Sequence, residues 1–224
     1  MAFTVHVESG EKRTFASATD WPGWSRSGKD EAAALQALLD YGPRYAKVLK
    51  GSGLKFSPPA RLSELEVTER LKGGSGTDFG APQRAPAADA APLNDKELQR
   101  LHVILAACWR YFDAVQKRAR GRELRKGPRG GGRDLAKMVD HVSDAEAAYV
   151  GALGWSPALG KPQARDKGMA VVREAAVEGM RASAAGKIPA VGPRGGKRWS
   201  PRYFARRAAW HVLDHAWEIE DRIE

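Results

Sequence analysis

A stretch of twenty residues, Gly73 to Pro92, divides the chain and limits what it can fold into. It is built from Gly, Ala, Pro and Ser with no apolar periodicity, so it reads as a flexible to semi-extended linker rather than a helix or strand. The hydrophobic pattern changes across it. Before it, apolar residues alternate with polar ones at period two. After it, they recur at spacings of three and four. The division is therefore residues 1–72, a linker at 73–92, and residues 93–224, and the fold class expected is α+β.

The first unit opens with Phe3, Val5 and Val7 alternating with Thr4, His6 and Glu8, the signature of a half-buried strand. On that pattern His6 lies on the polar face and is expected at the surface. A second strand is read over Lys12 to Ala18, after the turn at Gly10. Trp21-Pro-Gly-Trp24 breaks the ladder, and Ser27 or Asp30 caps a helix carrying Ala34, Leu35, Leu38, Leu39 and Tyr45 on one stripe. Leu65 to Leu71 alternates again, so the expected order is ββαβ.

The second unit reads as four helices of about 20 residues, hence a four-helix bundle. Asn94 and Glu97 form a capping-box start, followed by the stripe Leu98, Leu101, Leu105, Cys108, Phe112 and Val115. Helices follow over Asp134 to Leu153, with Leu135, Met138, Val142, Ala145, Tyr149 and Leu153 inward, and over Asp166 to Ala185, with Met169, Val172, Ala176 and Met180. The last helix, Arg202 to Ile223, starts after Ser200-Pro201, with proline at its favoured position. The lone cysteine, Cys108, sits on a core stripe and is expected to be a buried, inert thiol.

Charge is concentrated in the second unit. Residues 1–92 carry 12 Lys/Arg against 11 Asp/Glu, whereas residues 93–224 carry 25 against 16. Lys117 to Arg133 alone holds eight basic residues opposed only by Glu123. Such a run can attract nucleic acid or an anionic metabolite, but charge runs are commonly solvated connectors, and no nucleic-acid motif accompanies this one. No apolar run approaches the ~20 residues of a membrane span, and the amino terminus lacks a signal-peptide pattern, so a cytoplasmic protein is expected.

Chemistry is concentrated in the histidines. His211 and His215 are one helical turn apart, so both rings can point to one place. His141 lies on another helix, and a third imidazole from a facing helix completes a three-ligand site with an open position, suited to catalytic zinc or nickel. Asp140, Asp144, Asp214 and Glu218 are close enough in sequence to orient the rings. His102 borders the first helix's stripe and is a lesser candidate for a fourth ligand.

Two resemblances add to this. Asp20-Trp-Pro-Gly-Trp-Ser-Arg-Ser-Gly-Lys-Asp-Glu-Ala-Ala-Ala-Leu35 resembles the HicB-like antitoxin motif across about 50 residues. That implies a non-catalytic ββαβ module acting in docking, dimerisation or as a lid. Asp134-Leu-Ala-Lys-Met-Val-Asp-His141-Val-Ser-Asp-Ala-Glu-Ala-Ala-Tyr149 and Trp210-His-Val-Leu-Asp-His215 resemble the DinB/YfiT-like metal-binding four-helix bundles across about 130 residues. There His141, His211 and His215 take the places of the metal triad, with Glu146 and Tyr149 at the acidic and aromatic positions. The resemblance implies nickel, zinc or a similar divalent ion, and a low-molecular-weight-thiol-dependent transferase, isomerase or hydrolase acting on a small molecule. Arg129 and Arg194, in two Gly-Pro-Arg-Gly-Gly loops, are then candidates to bind the carboxylates of a thiol cofactor, although two flexible connectors are the simpler and favoured reading of those loops. The long basic connection between the first two helices departs from that family. So does the amino-terminal unit. A non-catalytic adaptor with a structural metal, or none, is the alternative.

Overall fold

A computed structural model of the 224-residue chain describes residues 2–126, 132–155 and 165–223, with the side chains of 165–167 left aside. It is α+β, an amino-terminal four-stranded sheet followed by a helical region. The strands are β1 (Phe3–Ser9), β2 (Thr14–Ala18), β3 (Ser25–Gly28) and β4 (Leu65–Lys72). They lie in the order β3-β2-β1-β4, with only β1 and β4 parallel. The expected ββαβ order is thus corrected to βββαβ. Trp21-Pro-Gly-Trp24 does not end the ladder but turns it, and β3 returns against β2.

The turn depends on Gly23, at φ +94, where a Cβ would stand 2.9 Å from Leu213 Cδ1 and 3.2 Å from Ala209 Cβ. α1 (Glu31–Leu49) follows, capped by Asp30, whose Oδ1 accepts from Ala33 N at 2.8 Å. Strand register puts Val5, Val7, Ala16 and Ala18 on one sheet face, which packs with Trp24 and the Ala34, Leu38 and Tyr45 stripe of α1. Trp24 stacks on Tyr45 at 6.0 Å, and its indole N–H donates to Leu38 O at 2.8 Å, so the buried polar atom is satisfied.

The opposite face carries His6, Glu8, Phe15 and Ser17, and it is buried as well. His6 is therefore a core residue, not a surface one. Its ring meets Thr19 Oγ1 at 3.2 Å, and burial, aided by the Arg206 charge, lowers its pKa to about 3. Alternation within β1 reports only that the two faces differ. It cannot report a second covering layer supplied from 200 residues away.

That layer is α6 (Pro201–Arg222) together with the connector. Fifteen of the residues of α6 are buried, which marks a helix enclosed on all sides. One side packs in the helical region with α3 (Asp95–Ala119), α4 (Leu135–Leu153) and α5 (Arg165–Ala184); the other takes the sheet, with Phe15 edge-on to Trp210 at 6.1 Å. Cys108 is fully buried in this continuous core, which raises its thiol pKa and leaves it unreactive.

The connector contains the short helix α2 (Ser75–Phe79) and is docked along α6 instead of hanging free. Tyr203 donates to Gln83 O at 2.8 Å, Arg207 to Pro82 O at 2.5 Å, and Arg202 to Ala91 O and Pro92 O. Arg206 holds the buried Asp89 through two hydrogen bonds of 2.9 and 2.6 Å. A segment without apolar periodicity has backbone carbonyls to satisfy, and arginines of α6 satisfy them.

Candidate metal centre

α4 and α6 bring His141 beside His211 and His215. Ring centroids lie 5.0 Å apart for His141–His211, 4.9 Å for His141–His215 and 4.6 Å for His211–His215. One nitrogen from each ring falls within 4.8 Å of the other two. The closest pair, His141 Nε2 and His211 Nε2, is 3.2 Å apart. Two nitrogens on a tetrahedral ion with ordinary 2.0–2.1 Å bonds stand about 3.3 Å apart, so this pair already has the spacing of two ligands.

Two of the three donors are held in the neutral form that binds metal. His211 is lowered to about 2, first by burial and then by its two neighbouring imidazoles, and burial lowers His141 too. Both are neutral at pH 7 and present lone pairs. His215 Nδ1 lies 3.0 Å from Glu218 Oε2, which leaves Nε2 as its free nitrogen. Glu218 is held below the usual carboxylate range, chiefly by that hydrogen bond, and is fixed by Arg222 Nη1 at 2.8 Å. Arg222 also donates to Arg125 O and Arg133 O, so it ties the basic loop back to α6.

Aromatic groups close one side. Tyr149 lies edge-on to His211 at 5.7 Å and against Trp199 at 5.1 Å. Arg207 donates to Tyr149 Oη at 3.3 Å and lies 4.8 Å over the Trp210 ring. His211 Nδ1 is buried without a hydrogen-bond partner among the described residues.

No family model, curated protein or solved structure matches this chain.

The other sequence candidates are distributed elsewhere. Glu146, beside Tyr149 in the motif, turns away from the histidines toward the bundle interior. There Trp109 Nε1 donates to it and Arg173 Nε is 3.7 Å away, and burial raises its pKa to about 7. Asp214 pairs with Arg26 at 3.0 Å rather than with an imidazole. His102 is buried apart from the triad, with burial lowering its pKa. Arg194 is exposed in the turn closed by the Val191–Lys197 bridge, and Arg129 lies outside the described residues.

Sequence reasoning missed Arg222. Its signal was the ladder His215, Glu218, Arg222, at spacings of three and four, which places imidazole, carboxylate and guanidinium on one helix face.

Proposed function

We propose that this chain is a divalent-metal-dependent enzyme of the DinB/YfiT-like type, acting as a low-molecular-weight-thiol transferase or a hydrolase. The observation that carries the reading is the convergence of three imidazoles from two helices, with a carboxylate already oriented behind one of them. His141, His211 and His215 would hold zinc or nickel. When bound, the ion supplies Lewis acidity that lowers the pKa of a water or thiol.

The protein's own groups prepare that chemistry. Glu218 accepts a hydrogen bond from the Nδ1–H of His215, fixing the tautomer whose Nε2 carries the lone pair. Arg222 holds Glu218 ionised and in place. Tyr149, its phenol kept protonated by burial, shields His211 from bulk water. A three-nitrogen set leaves coordination open for a reactant, as a closed structural site would not.

The alternative is an adaptor whose sheet module binds a partner. Both faces of that sheet are spent, on α1 and on α6 with the connector, which favours the enzyme reading. The test compares zinc- and nickel-reconstituted wild type with His215→Ala, in ester hydrolysis and in transfer of a small thiol to an electrophile. Turnover requiring both the ion and His215 is expected. Equal turnover by the variant would overturn the proposal.

A further inference from the structure

A cavity of about 950 Å³ opens between the sheet, α6 and the start of the basic loop. Its size is that of a small-molecule site. Phe15 and Trp217 supply apolar wall, and Glu218, the residue bonded to His215, lies in the wall as well.

The charges on that wall do not cancel. Its three acids already have partners: Asp214 bonds Arg26, Glu218 bonds Arg222 and His215, and Asp221 bonds Arg44. Arg13, Arg125 and Lys126 also line it and form no ion pair with those acids. Arg13 gives one guanidinium N–H to Ser27 Oγ at 3.0 Å, while its Nε is buried with no partner among the described residues. A buried donor without an acceptor costs free energy unless a ligand supplies one. A concave site with low-dielectric walls and three uncancelled cations concentrates anions.

We infer that this cleft binds a small oxyanion-bearing molecule with an apolar body. Arg13 and Lys126 hold its phosphate or carboxylate, and Phe15 and Trp217 contact the body. The inference deepens the enzyme reading by naming the substrate class, and rests on it only for what the ligand undergoes. Binding itself needs no ion. The cleft also gives the amino-terminal module a role, since Phe15 of β2 and Ser25, Arg26 and Ser27 of β3 line it, with Arg13 beside them. Arg194, the candidate anion ligand read from the Gly-rich repeat, is not on that wall.

The test uses 1-naphthyl phosphate as probe and neutral 1-naphthol as control, titrated calorimetrically into chelator-treated full-length protein. Saturable one-to-one binding of the phosphate, with naphthol much weaker, is the expected result. Arg13→Gln/Lys126→Gln should weaken it by about tenfold or more. Lys126→Gln alone, at an exposed position, should weaken it without any effect on folding. Equal binding of naphthol, no saturable binding, or affinity unchanged in both variants would overturn the inference. Phosphate binding by a protein that takes up no metal on reconstitution with zinc and nickel would leave the cleft standing and remove the metal reading. Metal without phosphate binding would do the reverse.

Discussion

Replacing Arg206 with Met tests how the two parts of the chain are joined. The guanidinium gives Asp89 hydrogen bonds of 2.9 and 2.6 Å, and donates to Ala18 O and Thr19 O at 3.1–3.2 Å. Methionine keeps most of the apolar stem but removes the charge and every donor. Asp89, only 1% exposed, is left as a buried carboxylate without a counter-charge, and the end of β2 loses partners for its carbonyls. Removing one member of a buried pair costs about 3–5 kcal/mol, most of it the stranded charge. For a chain of this size that corresponds to a Tm fall of about 6–20 °C. Adding Asp89→Asn removes the stranded charge, so the double variant should be more stable than Arg206→Met alone. Urea unfolding of wild type, both single variants and the double variant measures this, followed by tryptophan fluorescence and by circular dichroism. A loss under about 1 kcal/mol for Arg206→Met, or a double variant less stable than that single, would refute the reasoning.

Three further outcomes follow from other contacts. His6, lowered to about 3 in the folded protein against 6.5 unfolded, stabilises fully above pH 6.5, and that contribution is lost as pH falls toward 3. Urea melts from pH 7 to pH 4 should show His6→Asn with a shallower decline than wild type, by up to about 1.4 kcal/mol per pH unit; parallel declines would contradict the burial of His6. Gly23→Ala meets both a positive φ and the side chains of Leu213 and Ala209, and a loss of about 2–4 kcal/mol is expected in the same assay. Glu218→Gln should lower metal affinity about 10–100-fold with little change in stability, read by competition with a chromogenic chelator.

The helical half was largely legible because its signals are local. The Asn94–Glu97 capping box, the Ser200–Pro201 start and the stripe from Leu101 to Val115 each act within a turn or two, and all are present. The triad was legible for the same reason. Spacing aligned His211 with His215, and an inward-leaning His141 on another helix completed it. What stayed hidden depends on tertiary layers. β3 is four residues of Ser-Arg-Ser-Gly, with no apolar alternation, and exists because β2 offers it an edge. The polar face of β1 is buried because α6 needs a second side covered. The connector looks featureless until the arginines of α6 are placed along it. Among the carboxylates near the histidines, the phase of α6 decides that Glu218 reaches a ring, while Asp214 is taken by an arginine of the sheet.

The central claim is that His141, His211 and His215 bind one divalent ion. Metal content of tag-free protein by inductively coupled plasma mass spectrometry tests it directly, beside the His211→Ala/His215→Ala double variant. The account predicts about one zinc or nickel per chain in wild type, and none in the variant while it remains folded. No metal in wild type after reconstitution with both ions, or equal metal in the variant, would contradict it.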